Sequence, residues 1–134
     1  MNIVFNNLID NAKKFTPGSF DMIIQIECDS KKFIINFIDH GIGLSAKDQK
    51  KIFHKFYRIS GKDIPSVRGT GLGLHLVKEI IKSHGGKIMV YSDGKDKGST
   101  FTIELPIYKR AKKRYLNRLL KMTAKREESE NANT

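Results

Sequence analysis

The hydrophobic positions of this chain switch between two periods along its length. Three segments repeat apolar residues at the spacing of a helix, and they cover residues 2–15, 45–56 and 72–84. Four segments have the short apolar or alternating pattern of strands, and they cover residues 20–28, 31–39, 87–92 and 99–106. The order helix, two strands, two helices, two strands predicts an α+β fold, a two-layer sandwich whose helices cover one face of the sheet.

Turn-forming residues separate these segments. Pro17 and Gly18 end the first helix, and the pair Gly85 and Gly86 ends the third. Residues 57–71 combine glycine, proline and charged residues without any period. We interpret this stretch as a mobile lid over a binding site.

The composition changes after Pro106, which predicts a domain over residues 1–106 and a C-terminal extension over 107–134. The extension holds 9 of the 25 Lys and Arg residues and 3 of the 14 Asp and Glu residues, so it supplies more than half of the net charge of +11. Its first part predicts a basic helix with Tyr115, Leu119 and Met122 on one side, and REESENANT predicts disorder. Such a tail can attract nucleic acid, an anionic membrane or an acidic protein, or it can be a solvated appendage.

Length and composition limit the class of protein. The 134 residues suffice for one domain, and no run of 18 apolar residues or secretory signal is present, which predicts a soluble intracellular chain. Cys28 is the single cysteine, so an internal disulfide or a cysteine zinc site is excluded.

Three short motifs carry candidate chemistry. In the first helix, Asn7, Asn11 and Lys14 follow i, i+4, i+7 spacing, so they form a polar stripe that can face a ligand. After the second strand, Asp39 is a potential acceptor for an exocyclic amine, and the glycines of DHGIG let a planar base approach the backbone. The third motif, GTGLGL, precedes a helix and suits phosphate binding, but its spacing is not that of a dinucleotide fold.

In combination these motifs resemble the catalytic ATP-binding domain of sensor histidine kinases, within the ATPase superfamily that includes gyrase and a heat-shock chaperone. Four motifs occur in that family's order: NNLIDNAKKFTP (N box), DHGIGL (first glycine box), KIFHKFYR (F box) and GTGLGL (second glycine box). The resemblance covers residues 2–106. It implies a Bergerat-type ATP-binding fold with a mixed sheet.

The resemblance also implies which residues hold the cofactors, ATP and Mg²⁺. Asn11 would coordinate Mg²⁺ on the ATP phosphates with support from Asn7, and Lys14 would contact a phosphate. Phe15 would stack against the adenine, and Asp39 would accept a hydrogen bond from the adenine amine.

The remaining roles fall on glycines and on the lid. Gly41 and Gly43 would lie beside the adenine ring, and Arg58 would stabilise charge on the γ-phosphate during transfer. The second glycine box would form the lid hinge and offer backbone N–H groups to the phosphates, through Gly69, Thr70, Gly71, Leu72, Gly73 and Leu74. Asn7 and Arg58 are therefore the catalytic candidates.

The residue at position 7 bears on the type of reaction. The superfamily's hydrolysing members carry a glutamate there as a base, and an asparagine cannot take a proton. The likeness therefore favours phosphoryl transfer to a histidine on a dimerisation domain, in cis or in trans, and onward to a response-regulator receiver. None of the four histidines here is followed by an acidic residue, so we expect the acceptor outside this chain.

The chain departs from the family at its start. A strand precedes the N box in the family, whereas Met1 opens the N-box helix here, so we expect a fragment whose sheet has an unpaired edge. A non-catalytic nucleotide-binding or interaction module and an anti-sigma serine kinase are the alternatives. Either a cytoplasmic protein or the cytoplasmic part of a membrane-bound sensor fits the resemblance.

Overall fold

The computed structural model describes residues 1–60, 71–107 and 109–132. The helices and strands predicted within residues 1–106 are all present. Their bounds, with the C-terminal helix, are α1 (Asn2–Lys14), β1 (Met22–Cys28), β2 (Lys32–Asp39), α2 (Ala46–Lys51), α3 (Gly73–Ser83), β3 (Lys87–Tyr91), β4 (Ser99–Pro106) and α4 (Lys109–Ala132).

The four strands form one sheet in the order β1-β2-β4-β3, and every neighbouring pair is antiparallel. The predicted mixed sheet is therefore wrong for the part of the chain that the structure describes. Strands β2 and β3 do run in the same direction, but β4 folds back from β3 and lies between them. This order sets Phe37 opposite Phe101 and Ile35 opposite Ile103, so that the apolar residues of β2 and β4 share one face.

Helices α1 and α3 cover that face, as predicted, and form the core with it. Val4 and Leu8 of α1 and Val77 and Ile81 of α3 are buried because the helical spacing turns them all toward the sheet. They pack in one cluster with the buried strand residues Phe37, Ile88, Phe101 and Ile103. The core thus joins α1, which carries the polar stripe, to β2, which carries Asp39.

Helix α2 is shorter than predicted. Ser45 caps it as expected, with its Oγ accepting a hydrogen bond from the Asp48 N–H at 3.1 Å, but the helix ends at Lys51 instead of residue 56. The backbone of Phe56 is left-handed, with φ of 65°, and its N–H donates to the Gly71 carbonyl at 3.0 Å. After Lys51 the chain continues in turns, with the His54 N–H donating to the Lys51 carbonyl at 2.9 Å, and the Phe56–Gly71 contact joins the two ends of the predicted lid.

Helix α4 is longer than predicted, because it continues through Ala132 where the sequence suggested disorder from Arg126. Residues 124–132 contain no glycine or proline and are rich in Ala, Lys, Arg and Glu, which are strong helix formers. The low hydrophobicity of this stretch predicts disorder, but it is equally compatible with a solvated helix.

Strand β1 is an edge strand of the described sheet, and its inner face is incompletely covered. Ile24 and Ile26 lie opposite Phe37 and Ile35 on the helix side, yet 48% and 67% of their surfaces remain exposed. Helices α1 and α3 therefore cover the centre of the sheet and leave β1 open.

Because the helices cover β4 but not β1, we expect an Ile→Ala substitution to reduce the free energy of unfolding more in β4 than in β1. Ile103→Ala removes a fully buried side chain from β4 and should destabilise the chain by about 2–5 kcal/mol, because it leaves a cavity. Ile26→Ala is the matched control in β1 and should cost about 1 kcal/mol or less. Urea unfolding of both variants measures the two losses, and equal losses would contradict the described packing.

Candidate functional site

A cleft opens between the C-terminal end of α1, the loop after β2 and the start of α3. Five residues predicted as ligand contacts line it: Asn11, Phe15, Asp39, Gly43 and Leu74. Six further residues complete the lining, and sequence reasoning did not assign them a role: Ala12, Ile42, Leu44, Ile59, Ser99 and Phe101. Most of these six residues are apolar, so the cleft combines a few polar groups with a mainly apolar lining, as small-molecule sites do.

Asp39 is the buried polar group at the centre of this cleft, with 7% of its surface exposed. Its Oδ1 accepts the Gly41 N–H at 2.9 Å, and its Oδ2 accepts the Ser99 hydroxyl at 2.8 Å. Within the described residues Asp39 has no ion-pair partner, although buried carboxylates are usually paired. Two neutral donors fix the carboxylate and leave it acceptor capacity for a third donor from a ligand.

Ser99 is a site residue that the sequence did not reveal. It is the first residue of β4, and the sheet register sets it directly opposite Asp39, the last residue of β2. A serine after a glycine turn carries no signal by itself. Only the pairing of β2 with β4, which are 60 residues apart at this point, brings its hydroxyl to the carboxylate.

The first glycine box packs its backbone tightly between two neighbouring segments. A Cβ on Gly41 would lie 2.5 Å from the Phe15 carbonyl oxygen, which also accepts the Ile42 N–H at 2.9 Å. On the other side, a Cβ on Gly43 would lie 2.0 Å from the Gly94 carbonyl oxygen, and Gly43 has a φ of 72°. The glycines therefore allow the loop to fit between the end of α1 and the β3–β4 turn.

Ser92 and Gln49 hold this stack of loops together. The buried Ser92 hydroxyl accepts the Leu44 N–H at 3.0 Å and donates to the Gly98 carbonyl at 2.6 Å. The Gln49 side chain in α2 donates to the carbonyls of Leu44 and Ser92 at 3.2 and 3.0 Å. These bonds join α2, the glycine box and the β3–β4 turn, which fixes the wall of the cleft that carries Asp39.

The two asparagines of the polar stripe have different surroundings. Asn11 is half-buried in the cleft wall, and its carboxamide makes no hydrogen bond to any residue that the structure describes. Asn7 lies one turn away, where its Nδ2 donates to the Ile3 carbonyl at 2.8 Å and its Oδ1 would be 2.7 Å from a Cβ on Gly73. Asn11 is thus available to a ligand, while Asn7 packs against the start of α3.

The Asn11 amide oxygen is the candidate protein ligand for Mg²⁺ in the cleft. Across the described ranges, no group of three or more His, Cys, Asp and Glu side chains could hold a metal ion. Mg²⁺ commonly binds through one or two protein oxygens, with phosphates and waters completing its shell. The half-buried Asn11 amide oxygen fits that pattern, which needs the phosphates of a bound nucleotide.

The F box forms the base of the predicted lid. Tyr57 donates a hydrogen bond of 2.5 Å to Asp48 Oδ1, and this bond raises the pKa of Tyr57 because it favours the neutral phenol. A Cβ on Gly71 would lie 2.7 Å from the Phe56 backbone, so the left-handed Gly71 admits the close contact at the other end of the lid. Arg58, next to Tyr57, is exposed and lies outside the lining of the cleft, whereas its neighbour Ile59 is part of it.

The other predicted residues are spread around the cleft. Lys14 is exposed at the end of α1 and does not line it. Leu72 is the N-cap residue of α3, and Gly73 is the first residue of that helix. Gly69 and Thr70 lie outside the described residues.

The two-layer fold, the N box on α1 and the glycine boxes beside the cleft define a catalytic ATP-binding domain of the histidine kinase type. Comparison with known families agrees, because residues 1–109 match the histidine kinase-, DNA gyrase B- and HSP90-like ATPases. The chain belongs to this family.

Curated relatives are sensor proteins. The chain is 38% identical to the sensor protein RprX of Bacteroides fragilis over 110 residues. This aligned region covers 81% of this chain and 21% of that protein. The chain is also 38% identical to the sensor histidine kinase WalK of Bacillus subtilis over 105 residues. This aligned region covers 77% of this chain and 17% of that protein. The chain therefore matches only about a fifth of the length of these relatives.

Solved structures of sensor kinases have the same fold. The mycobacterial sensor histidine kinase MprB superimposes with a TM-score of 0.67 at 27% identity, over 78% of this chain and 68% of that one. Full-length ShkA in complex with AMPPNP superimposes with a TM-score of 0.65 at 25% identity, over 78% of this chain and 20% of that one. The second of these structures holds an ATP analogue.

The packing of the glycine box predicts a difference between two left-handed glycines. Gly18→Ala should cost about 1–2 kcal/mol, because φ is 79° there but no atom lies within 4 Å of the added Cβ. Gly43→Ala carries the same backbone strain and also drives its Cβ into the Gly94 carbonyl, so we expect a further loss of about 1–3 kcal/mol. Denaturant unfolding of the two variants compares them, and equal stability would contradict the described stack.

Proposed function

We propose that this chain binds Mg-ATP in the cleft and transfers the γ-phosphoryl group to a histidine on a dimerisation domain. The observation that carries the proposal is the buried Asp39 carboxylate, which two neutral donors orient and which has no ion-pair partner among the described residues. Such a group costs free energy to bury, so its retention is best explained by a ligand that donates a hydrogen bond to it.

The adenine is the part of ATP that suits this end of the cleft. Its exocyclic amine donates to Asp39, and its ring lies against Phe15 and the backbone of Gly43, with Gly41 behind. The apolar residues Ile42, Leu44 and Ile59 supply the rest of the surface that a purine buries.

The phosphates extend from the adenine toward α1 and the start of α3. When Mg²⁺ is bound, it neutralises charge on the phosphates, and Asn11 is the residue that would hold it. Asn7 positions the start of α3 through its contact with Gly73, and Lys14 adds a positive charge at the end of α1. The second glycine box, from Gly69 to Leu74, offers backbone N–H groups at the N-terminus of α3, where the helix dipole favours anions.

Phosphoryl transfer breaks the bond between the γ-phosphorus and the β,γ-bridging oxygen of ATP, so that ADP leaves with this oxygen. The γ-phosphorus forms its new bond to an imidazole nitrogen of the acceptor. Arg58 stabilises the negative charge that spreads over the γ-phosphate oxygens during this exchange. Asn7 cannot deprotonate water as the glutamate of hydrolysing family members does, so an external nucleophile is favoured over hydrolysis.

The partners follow from this reaction. A phosphorylated histidine passes its phosphoryl group on, so a response-regulator receiver is the expected downstream partner. The acceptor domain belongs to the same protein as this chain or to a separate one. The domain would act in the cytoplasm, where ATP is supplied.

Asp39→Asn tests the adenine assignment. The amide presents an N–H group where the adenine amine needs an acceptor, so affinity for an ATP analogue should fall by about ten- to a hundredfold, as expected for a hydrogen bond to a charged group. Wild type should also prefer ATP to GTP, because guanine carries an oxygen in place of that amine, and the substitution should reduce this preference. Isothermal titration in the presence of Mg²⁺ measures both effects.

Asp10→Asn is the matched control for this test, because Asp10 is exposed on α1 and makes the same chemical change outside the cleft. Its affinity should equal that of wild type. If Asp39→Asn also binds like wild type, the adenine site is wrongly assigned.

Arg58→Ala tests the transfer step. Removing the guanidinium should leave binding of the ATP analogue within about threefold and slow phosphorylation of an added histidine-bearing dimerisation domain by about a hundred- to a thousandfold, because the charge is needed mainly in the transition state. Formation of acid-labile phosphate measures the rate.

Lys55→Ala is the control for the loss of one positive charge in the same segment, since Lys55 does not line the cleft and its ammonium lies 5.4 Å from the centroid of the Phe56 ring. The Lys55→Ala variant should phosphorylate the dimerisation domain at the wild-type rate. A proportional loss of binding and transfer in Arg58→Ala would instead assign Arg58 to ground-state binding.

A further inference from the structure

Residues 52–59 lead from α2 into the predicted lid, and their apolar packing decreases as far as Phe56. Ile52 is 8% exposed, and the Phe53 ring packs edge-on against the Phe101 ring with the centroids 6.1 Å apart. At Phe56 this cover has ended, because 65% of its surface is exposed. The core therefore holds the start of this segment, and other contacts have to hold the residues that follow.

The Tyr57 hydroxyl makes such a contact. The side chain is half-buried, and its hydroxyl donates to Asp48 Oδ1 at 2.5 Å. Because this bond raises the pKa of Tyr57, the hydroxyl remains a donor at neutral pH. Hydrogen bonds to a carboxylate are shorter and stronger than those between neutral groups. Tyr57 thus ties the F box to the first turn of α2.

Asp48 is itself held in place, so it can serve as a fixed point. Its Oδ2 accepts the Ser45 hydroxyl at 2.8 Å, and its backbone N–H donates to the same hydroxyl oxygen at 3.1 Å. The side chain of the next residue, Gln49, bonds to the loops that form the wall of the cleft. The Tyr57 hydroxyl is therefore anchored to the wall that carries Asp39.

Arg58 lies between two residues whose positions are set in this way. Tyr57 is bonded to Asp48, and Ile59 lines the cleft. The Arg58 side chain is exposed and lies outside the lining. An arginine has a long side chain with many rotamers, so the place where its backbone is held limits where its charge can reach.

We propose that the hydrogen bond between Tyr57 and Asp48 positions Arg58 for phosphoryl transfer. Tyr57 is a positioning residue, because its hydroxyl bonds to the protein and acts on the phosphate through Arg58. This inference rests on the proposed function, which gives Arg58 its role in the transition state. A misplacement of about 1 Å can slow a reaction by about a hundredfold, so the loss of this one bond should be measurable.

Tyr57→Phe removes the hydroxyl and keeps the ring. The variant should phosphorylate an added histidine-bearing dimerisation domain at least about fivefold more slowly than wild type at saturating ATP. Its affinity for an ATP analogue should stay within about twofold of wild type, because Arg58 acts mainly in the transition state. Equal transfer rates for this variant and wild type would overturn the proposal.

Tyr91→Phe is the matched control for the loss of a phenol hydroxyl. The Tyr91 hydroxyl donates to Asp93 Oδ1, also at 2.5 Å, and this bond likewise raises the pKa of Tyr91. Neither Tyr91 nor Asp93 lines the cleft. The control should therefore phosphorylate the dimerisation domain at the wild-type rate.

The double variant Tyr57→Phe, Arg58→Ala separates positioning from a general structural role. If Tyr57 acts through Arg58, its hydroxyl has no effect once the guanidinium is gone, so the double variant should match Arg58→Ala alone within about twofold. A further loss of about fivefold in the double variant would overturn the proposal, because the two residues would then act independently.

Hydrogen exchange of the full chain tests the same bond without any reaction. The Phe56 and Tyr57 N–H groups donate to the Gly71 and His54 carbonyls. Both should exchange at least about threefold faster in Tyr57→Phe and at the wild-type rate in Tyr91→Phe. Unchanged exchange in Tyr57→Phe would overturn the proposal. Absence of transfer by wild type would contradict the proposed function itself, while faster exchange would still support the bond as the anchor of this segment.

Discussion

The site depends on the hydrogen bonds that hold the Asp39 carboxylate at the end of β2. A buried carboxylate is tolerated only when donors replace its water, and here the donors come from its own loop, through Gly41, and from a strand distant in sequence, through Ser99. The loop, the strand pairing and the tight approach of the glycines are all needed for this arrangement. The same bonds leave the carboxylate oriented toward the cleft before any ligand arrives.

The core explains why this carboxylate stays in place. Phe37, two residues before Asp39 on β2, is 1% exposed and packs with Val4 and Leu8 of α1 in one cluster. Because α1 is fixed to β2 through this cluster, the Asn11 side chain and the Asp39 carboxylate line the same cleft. The fold thus sets the distance between the proposed metal ligand and the proposed adenine acceptor, and exposed residues such as Lys14 have more freedom.

Periodicity and motif order predicted the elements of residues 1–106, the cover on one face of the sheet and five residues of the cleft. They failed where long-range pairing decides the outcome. The order that places β4 between β2 and β3 made the sheet antiparallel, and the same pairing brought Ser99 to Asp39. The early end of α2 was not predicted either, and five residues beyond it the left-handed Phe56 is bonded to Gly71, a contact between residues distant in sequence. Composition likewise could not distinguish a solvated helix from disorder at the end of α4.

A crystal structure of the chain with Mg²⁺ and a non-hydrolysable ATP analogue tests the central claim most directly. The account predicts that the adenine amine lies within hydrogen-bond distance, about 3 Å, of the Asp39 carboxylate, while the Asn11 amide oxygen coordinates the metal on the phosphates. A nucleotide bound elsewhere, or one whose base turns away from Asp39, would contradict it.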